Sequence, residues 1–470
     1  MSRLIIVSNR VAMPGKPKVG GLAVGLSEAA RRSQGLWIGW SGRVSDSRHA
    51  AVRSGDGYTL VSHDLSAEEH AEFYNGFANR CLWPLLHSRS DLMDYRAEYL
   101  HRYQAVNERV ADTVAAASRP EDRIWVHDFH FLPLARALRE RKVRGAIGLF
   151  LHVPFPPVDG LTTLPGHRDL LQSLTAYDLI GFQTEADLQR FRQAMIELLG
   201  ATATRTGVLV RGQRLALRHL PIGIDCARFE KLACSPTARH ESARIAEALG
   251  QRQQVIGVDR LDYSKGLTRR ARAFASMLEQ FPAVRRQVDL LQIAPVSRSD
   301  VAAYQQARTQ LEQLAAQING QYGDVDWTPV RYVTRTLSRA HLAGLYRASA
   351  AGLVTPLRDG MNLVAKEYIA AQDPEDPGVL VLSRFAGAAA QMQAAVQVNP
   401  YDPGGTASGL YQALHMSRRE RRDRHQELLR GLREQDVHWW AQAFEQALVE
   451  ASGRRQQAPQ CAEGAVDAAA

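Results

Sequence analysis

The chain is poor in the features that mark several classes of protein. It has only four cysteines in 470 residues (Cys81, Cys226, Cys234 and Cys461), with no C-x-x-C among them. That argues against a thiolate metal site and fits a reducing cytoplasm. No run of 18 apolar residues exists, so no membrane span is expected. The opening "MSRLIIVSNR" holds four consecutive apolar residues before Ser8, too few for a secretory leader, and reads as a strand. H-E-x-x-H is missing too, which removes the familiar zinc-protease reading. Lysine is scarce: six residues (Lys16, Lys18, Lys142, Lys231, Lys265 and Lys366) stand against 52 arginines.

What is present is ordinary globular composition, 45% hydrophobic and 23% charged, at a length that suggests two or more domains. The formal net charge is 58 − 49 = +9. The arginines are dispersed apart from a patch at Arg418 to Arg424, and no nucleic-acid recognition motif accompanies them. Small anionic substrates are the better use of this charge.

Short apolar runs alternate with helical patterns. Strands are expected at Leu4–Ser8, Ile124–His127, Ile147–His152, Asp178–Phe182, Val255–Val258, Asp289–Ala294, Val330–Val333, Gly352–Pro356 and Gly378–Leu382. Helices are expected at Asp91–Ala117, Glu185–Leu199, Leu267–Glu279, Asp300–Ile318 and Leu363–Gln372. Such alternation predicts an α/β protein with parallel sheets covered on both faces. The pattern divides near a polar helical segment, Ala233–Arg252, into two doubly wound halves, 1–235 and 236–452, which places a ligand cleft between them. Residues 453–470 lack periodicity and read as a disordered tail.

Four stretches carry chemistry. In "RDGMNLVAKEYIAAQ", Arg358 to Gln372, a strand delivers Asp359 and Gly360 to a helix start. Free backbone N–H groups there suit phosphate, and Gly360 lets a ligand approach the backbone. Glu367, one turn in, suits a ribose diol; a plain strand-turn-helix is the competing reading. In "VDRLDYSKGL", Arg260 and Lys265 project from one loop and suit a pyrophosphate, against a surface ion pair between Asp262 and Lys265. In "SNRVAMPGKPKVGGLAVGL", Gly20 and Gly21 open a helix, but the spacing is not G-x-G-x-x-G and argues against a dinucleotide. In "WVHDFHFLPL" and "FLHVPFPP", His127, Asp128, His130 and His152 have no recognised metal spacing and suit sugar hydroxyls better.

Taken with "LWIGWSG", "QIAPVSR" and "NGQYG…WTP", these motifs recur in order through nearly the whole chain and resemble the trehalose-6-phosphate synthase family. The resemblance implies two Rossmann-like domains facing a central cleft, the GT-B glycosyltransferase fold, with an acceptor domain, a nucleotide-sugar domain, and a last helix returning to the first. It implies a retaining glycosyltransferase that moves glucose from UDP-glucose to glucose 6-phosphate, giving trehalose 6-phosphate and UDP. It implies no cofactor and no metal, no nucleic-acid or membrane partner, a cytoplasmic location, and a homo-oligomer, dimer or tetramer.

Carried over residue by residue, the resemblance assigns catalysis to Asp128, His152, Arg260, Lys265 and Asp359. The donor is assigned to Gly20, Gly21, Arg260, Lys265, Leu337, Asp359, Gly360, Met361, Asn362, Leu363, Val364, Ala365, Lys366 and Glu367. The acceptor is assigned to Arg10, Trp40, Tyr74, Trp83, Asp128 and Arg298, and anomeric selectivity to Trp83 and Val153. Asp259, Phe129 and Leu337 depart from the family's usual glutamate, tyrosine and aromatic. The last leaves the donor base open between uracil and others. Another sugar-phosphate acceptor, such as glycerol 3-phosphate or a cyclitol phosphate, is the alternative enzyme. A catalytically silent sugar-phosphate sensor is the alternative class. Asp324-Val-Asp326, the one D-x-D, reads as structural.

Overall fold

Residues 3–13, 21–47, 50–55, 57–298 and 301–456 are described by the structure, a computed structural model. The first sheet contains β1 (Leu4–Arg10), β2 (Leu36–Val44), β3 (Ala51–Gly55), β4 (Tyr58–Leu65), β5 (Arg123–His127), β6 (Ile147–Leu151), β7 (Leu179–Phe182), β8 (Thr202–Thr204), β9 (Gly207–Val210) and β10 (Gln213–His219). Their spatial order is 3-4-2-1-5-6-7-10-9-8. The run from β4 to β10 is parallel, and β3, β9 and β8 form antiparallel edges. The second sheet contains β11 (Gln253–Val258), β12 (Val288–Ile293), β13 (Val330–Val333), β14 (Ala351–Val354), β15 (Val379–Ser383) and β16 (Val396–Val398). It is wholly parallel, in the order 13-12-11-14-15-16.

These strands are short apolar runs because helices cover both faces; Leu4 to Val7 are fully buried. Each sheet reverses its winding once. The chain steps outward from β1 through β2 to β4, then returns to β5 on the other side of β1. In the second sheet it steps from β11 through β12 to β13, then returns to β14 beside β11. Loops leaving the carboxyl ends at such reversals diverge and open a crevice. Arg10 and Asp128 stand at or just past the end of the first pair, Arg260 and Asp359 on the loops beyond the second.

The expected strands lie where the sequence puts them, with ends differing by one or two residues. Strands β2 to β4, β8 to β10 and β16 are additions. β2 is buried over its first six residues and is interrupted by Gly39, Ser41 and Gly42, so it shows neither alternation nor an unbroken apolar run. The helix expected from Asp91 begins at Ala97, because Ser90–Leu92 closes a separate 3-10 turn and Arg96 is extended. The disordered tail does not begin at 453: the last helix, Val437–Gln456, continues through Gly453, and residues 457–470 lie outside the described set.

That last helix crosses back to the first sheet. The rings of Trp440 and Phe444 pack on Trp125 at 4.9 and 4.5 Å and on Phe150 at 5.0 and 5.8 Å. One apolar cluster runs unbroken from Leu4 and Trp125 to Ile256 and Leu382, so the two halves share buried surface.

Candidate active site

The loop after β11 is a tight one. The Asp262 carboxylate accepts the Ser264 N–H at 2.9 Å, which closes a 3-10 turn over Tyr263–Lys265. The competing Asp262–Lys265 surface pair does not form. Lys265 reaches instead across the sheet, and its Nζ donates to Asp359 Oδ2 at 2.5 Å with both side chains nearly buried. Arg260 from the same loop lies over the Trp83 ring at 5.9 Å.

Asp359 follows β14, and its Oδ2 also accepts the Asn362 side-chain N–H at 3.0 Å. Asn362 is left-handed (φ 81°) and caps the helix Leu363–Ala371, accepting the Ala365 N–H at 3.2 Å. Gly360 also has a structural reason to be glycine. A Cβ there would lie 2.0 Å from the His152 carbonyl oxygen, so the backbone of the first half already approaches it closely.

Two assigned donor residues stand back from the cleft. Ala365 is buried and its N–H already has an acceptor. Lys366 is buried, its Nζ donates to the Ile222 carbonyl and to Gln391 at 2.7 Å each, and burial pushes it down to about 7. Its ammonium ties the segment joining the two halves to the second sheet. Met361 is buried, while Leu363 and Val364 flank the first helical turn, half-buried. Glu367 is held by Arg339 at 3.0 Å; burial pushes its carboxyl up and Arg339 opposes that. Leu337 is half-buried just before the helix Arg339–Arg347. Gly21 opens the helix Gly21–Arg32, and Gly20 lies outside the described residues.

Beneath this wall lies a network invisible in the sequence. Fully buried Arg270 donates to Asp259 at 2.6 Å, Gln292 at 3.1 Å and Thr355 at 3.1 Å, tying β11, β12 and the end of β14 together. Asp259 is therefore a strut. Asp324 and Asp326 both pair with Arg286 on the surface, which accounts for the D-x-D. Among the described residues no group of three or more metal-ligating side chains is placed to hold an ion.

The opposite wall is aromatic. Arg10 lies over Trp40 at 5.7 Å, and Trp40 meets Tyr74 at 5.2 Å. Tyr74 stacks on His130 at 6.2 Å. Trp83 meets Phe129 at 5.8 Å. Arg298 comes from the second half and closes the group, with its guanidinium 4.1 Å from the Trp83 ring and donating to the Tyr304 hydroxyl at 2.5 Å. Burial works to lower Arg298, but Tyr304, Asp262 and Tyr74 outweigh it and raise its pKa.

Tyr74 and Trp83 converge because their helix is unusual. Glu69–Leu82 is a 14-residue π-helix that passes into the α-helical turn Trp83–Leu86. At about 4.4 residues per turn, the nine-residue step from Tyr74 to Trp83 makes two full turns. At the α-helical pitch of about 3.6 they would face opposite ways.

Asp128 and His152 end β5 and β6 side by side. The His152 N–H donates to Asp128 Oδ1 at 3.2 Å, and its ring meets His127 at 3.1 Å and Gln183 at 3.3 Å. Val153 follows, buried. Burial pushes the Asp128 carboxyl up to about 6 against two backbone N–H donors, and pushes the His152 imidazole down to about 3. Gln183 was missed in the sequence; its place directly after β7 is the signal that marks it. Eight non-glycine residues among those described have positive φ, and three of them, Asp128 (72°), Arg298 (51°) and Asn362 (81°), stand here. Strained backbone collects where side chains must be aimed.

A family model described as Glycosyltransferase family 20 matches residues 5–450. The chain is 44% identical over 468 residues to a trehalose-6-phosphate synthase of Sinorhizobium fredii, covering 97% of this chain and all of that one. The structure superposes with TM-score 0.94 on an α,α-trehalose-phosphate synthase (UDP-forming) from Burkholderia vietnamiensis, at 44% identity and with 97% and 98% of the two chains covered. It superposes with TM-score 0.92 on the corresponding enzyme from Burkholderia xenovorans in complex with glucose-6-phosphate, at 43% identity and with 95% and 100% covered.

Proposed function

The chain belongs to glycosyltransferase family 20, and from that premise and the cleft we infer a UDP-forming α,α-trehalose-phosphate synthase. It transfers glucose from UDP-glucose to glucose 6-phosphate with retention and releases trehalose 6-phosphate and UDP. The product holds two glucose units; the acceptor supplies one, so the UDP donor must carry the other. The observation that carries this reading is the opposition of a charged wall to an aromatic wall at two facing topological reversals.

We assign residues 1–235 to the acceptor and 236–452 to the donor. Arg260 and Lys265 neutralise the pyrophosphate, and Glu367, oriented by Arg339, accepts from the ribose. In the free protein Lys265 is paired with Asp359. An arriving pyrophosphate competes for Nζ and releases Asp359 to accept from glucose hydroxyls. Arg10 and Arg298 hold the acceptor phosphate, and Trp40, Tyr74 and Trp83 wall its sugar. His152, neutral at physiological pH, exchanges one of its ring contacts, to His127 or Gln183, for a hydroxyl of the reacting glucose, with Asp128 beside it.

Reaction occurs on one face of the donor. As the anomeric carbon separates from the phosphate oxygen, the acceptor hydroxyl bonds to that carbon from the same side. Its proton passes to the departing phosphate oxygen, so no protein base is required. The protein's part is to hold two anions in register and stabilise the charge on the leaving group. A homo-oligomeric, cytoplasmic enzyme remains part of this reading and is tested by light scattering and cell fractionation; among the described residues no helix is long and apolar enough to cross a membrane.

Product analysis with UDP-, GDP- and ADP-glucose against several sugar phosphates tests the reading. Trehalose 6-phosphate from UDP-glucose and glucose 6-phosphate is expected. Preference for glycerol 3-phosphate or a cyclitol phosphate would overturn the acceptor.

A further inference from the structure

A second cavity of about 270 Å³ lies between the halves, behind the loop that carries Asp359. The first half contributes Thr184, Asp187 and Arg190; the second contributes Arg358, Arg384 and Gln393. Asp187 is fully committed. It accepts from Thr184 at 2.6 Å, from the Phe155 N–H at 3.0 Å and from Arg190 at 3.0 Å, with Arg358 at 3.8 Å. Arg384 is exposed and has no acidic partner among the described residues. Asp359, the other acid on the wall, is taken by Lys265. Three guanidinium groups therefore converge on a hollow with one shared carboxylate. The imbalance registers on Arg358, whose pKa burial and the charge of Arg190 both lower.

We propose that this cavity is an anion site, separate from the acceptor site and adjoining the donor site at Asp359, that takes one phosphate dianion, free or as a small ester. Guanidinium forks match phosphate oxygens bidentately, and the volume admits a phosphate with a few carbons attached. Such a ligand would couple to catalysis through backbone. The Asp359 N–H donates to Phe385 O at 3.2 Å, the Gly387 N–H donates to Asp359 O at 3.0 Å, and Phe385 and Gly387 line the hollow. Because the arginines come from both halves, an anion here also holds the halves together.

The test is equilibrium dialysis with labelled inorganic phosphate and, separately, labelled glycerol 2-phosphate, at constant ionic strength and with saturating UDP filling the pyrophosphate site at Arg260 and Lys265. Wild type should bind two inorganic phosphates per chain. Arg298→Ala should bind one, Arg190→Ala with Arg384→Ala should bind one, and the three changes together none. Arg384→Gln alone, at an exposed position without an ion pair, should weaken the second site roughly tenfold while UDP-glucose turnover persists. Uptake of glycerol 2-phosphate at the Arg384-dependent site points to an ester, and its exclusion to the free ion. A single phosphate in wild type that Arg298→Ala abolishes overturns the proposal. Two phosphates that survive the paired arginine changes overturn it as well. Should Arg298→Ala leave the count unchanged while the Arg190/Arg384 changes lower it, the acceptor assignment fails and this site stands.

Discussion

The two walls of the cleft handle burial in opposite ways. On the first-half wall, buried titratable groups that form no ion pair lose their charge. Burial pushes His87 to about 4, His130 to about 3 and His152 to about 3, and lifts Asp128 to about 6. On the second-half wall, three buried cations have fixed counter-charges: Lys265 with Asp359, Arg270 with Asp259, Arg339 with Glu367. Desolvation penalises an isolated charge more than a paired, hydrogen-bonded one. The first wall thus suits the uncharged body of a sugar, and the second a pyrophosphate. Arg298 is the exception that crosses, a second-half cation set against a first-half tryptophan.

The comparison breaks most visibly at Lys265. Lys265→Ala should cut kcat about 10²–10³-fold with the fold intact, since a preorganised donor to the leaving group is lost. Near-normal kcat in a folded variant would remove the charged wall from the chemistry. The crossing residue comes next. Arg298→Ala should raise KM for glucose 6-phosphate about tenfold or more, the weight of one charge-assisted phosphate contact, and KM for UDP-glucose little. Loss of donor affinity instead would exchange the roles of the two walls.

Titration sharpens the contrast at smaller scale. Asp128 has its folded pKa raised, so the native state binds the extra proton between about pH 4 and about pH 6 and loses stability as pH rises through that window. Asp128→Asn should gain on the order of 1 kcal/mol at pH 7, gain nothing at pH 3, and flatten the acid limb of kcat/KM near pH 6. The histidines act with the other sign. Their folded pKa values are depressed, so their contribution is present above about pH 6.5 and lost as pH falls toward about 3. Urea unfolding from pH 8 to pH 4 reads both; stability of wild type that rises on acidification would contradict the histidine assignment. The smallest expected effect is none: exhaustive chelation should leave turnover unchanged, and loss restored by Mg²⁺ or Mn²⁺ would place a metal on the charged wall.

The sequence was legible where chemistry and periodicity coincide. Strand-loop-helix units around Arg260, Lys265 and Asp359 stand where apolar runs end, and the fold puts those ends together. Long-range partners were not legible. Nothing local couples Arg339 to Glu367 or Arg270 to Asp259, because those pairs exist only once sheets are stacked. The π-helix was also hidden, since Tyr74 and Trp83 fall on opposite faces of the α-helix that propensity favours. Nor could sequence alone say that the His152 backbone comes close to Gly360.

The returning helix has a consequence for the order in which the molecule is made. Trp125 and Phe150 are made well before their cover, Trp440 and Phe444, which follows the whole second sheet in the chain. The first half therefore waits, with large rings uncovered, while the whole second half is translated. The first sheet gains this cover only when the helix Val437–Gln456 is made, and stalled chains of increasing length should become protease-resistant in that half only once Phe444 has emerged.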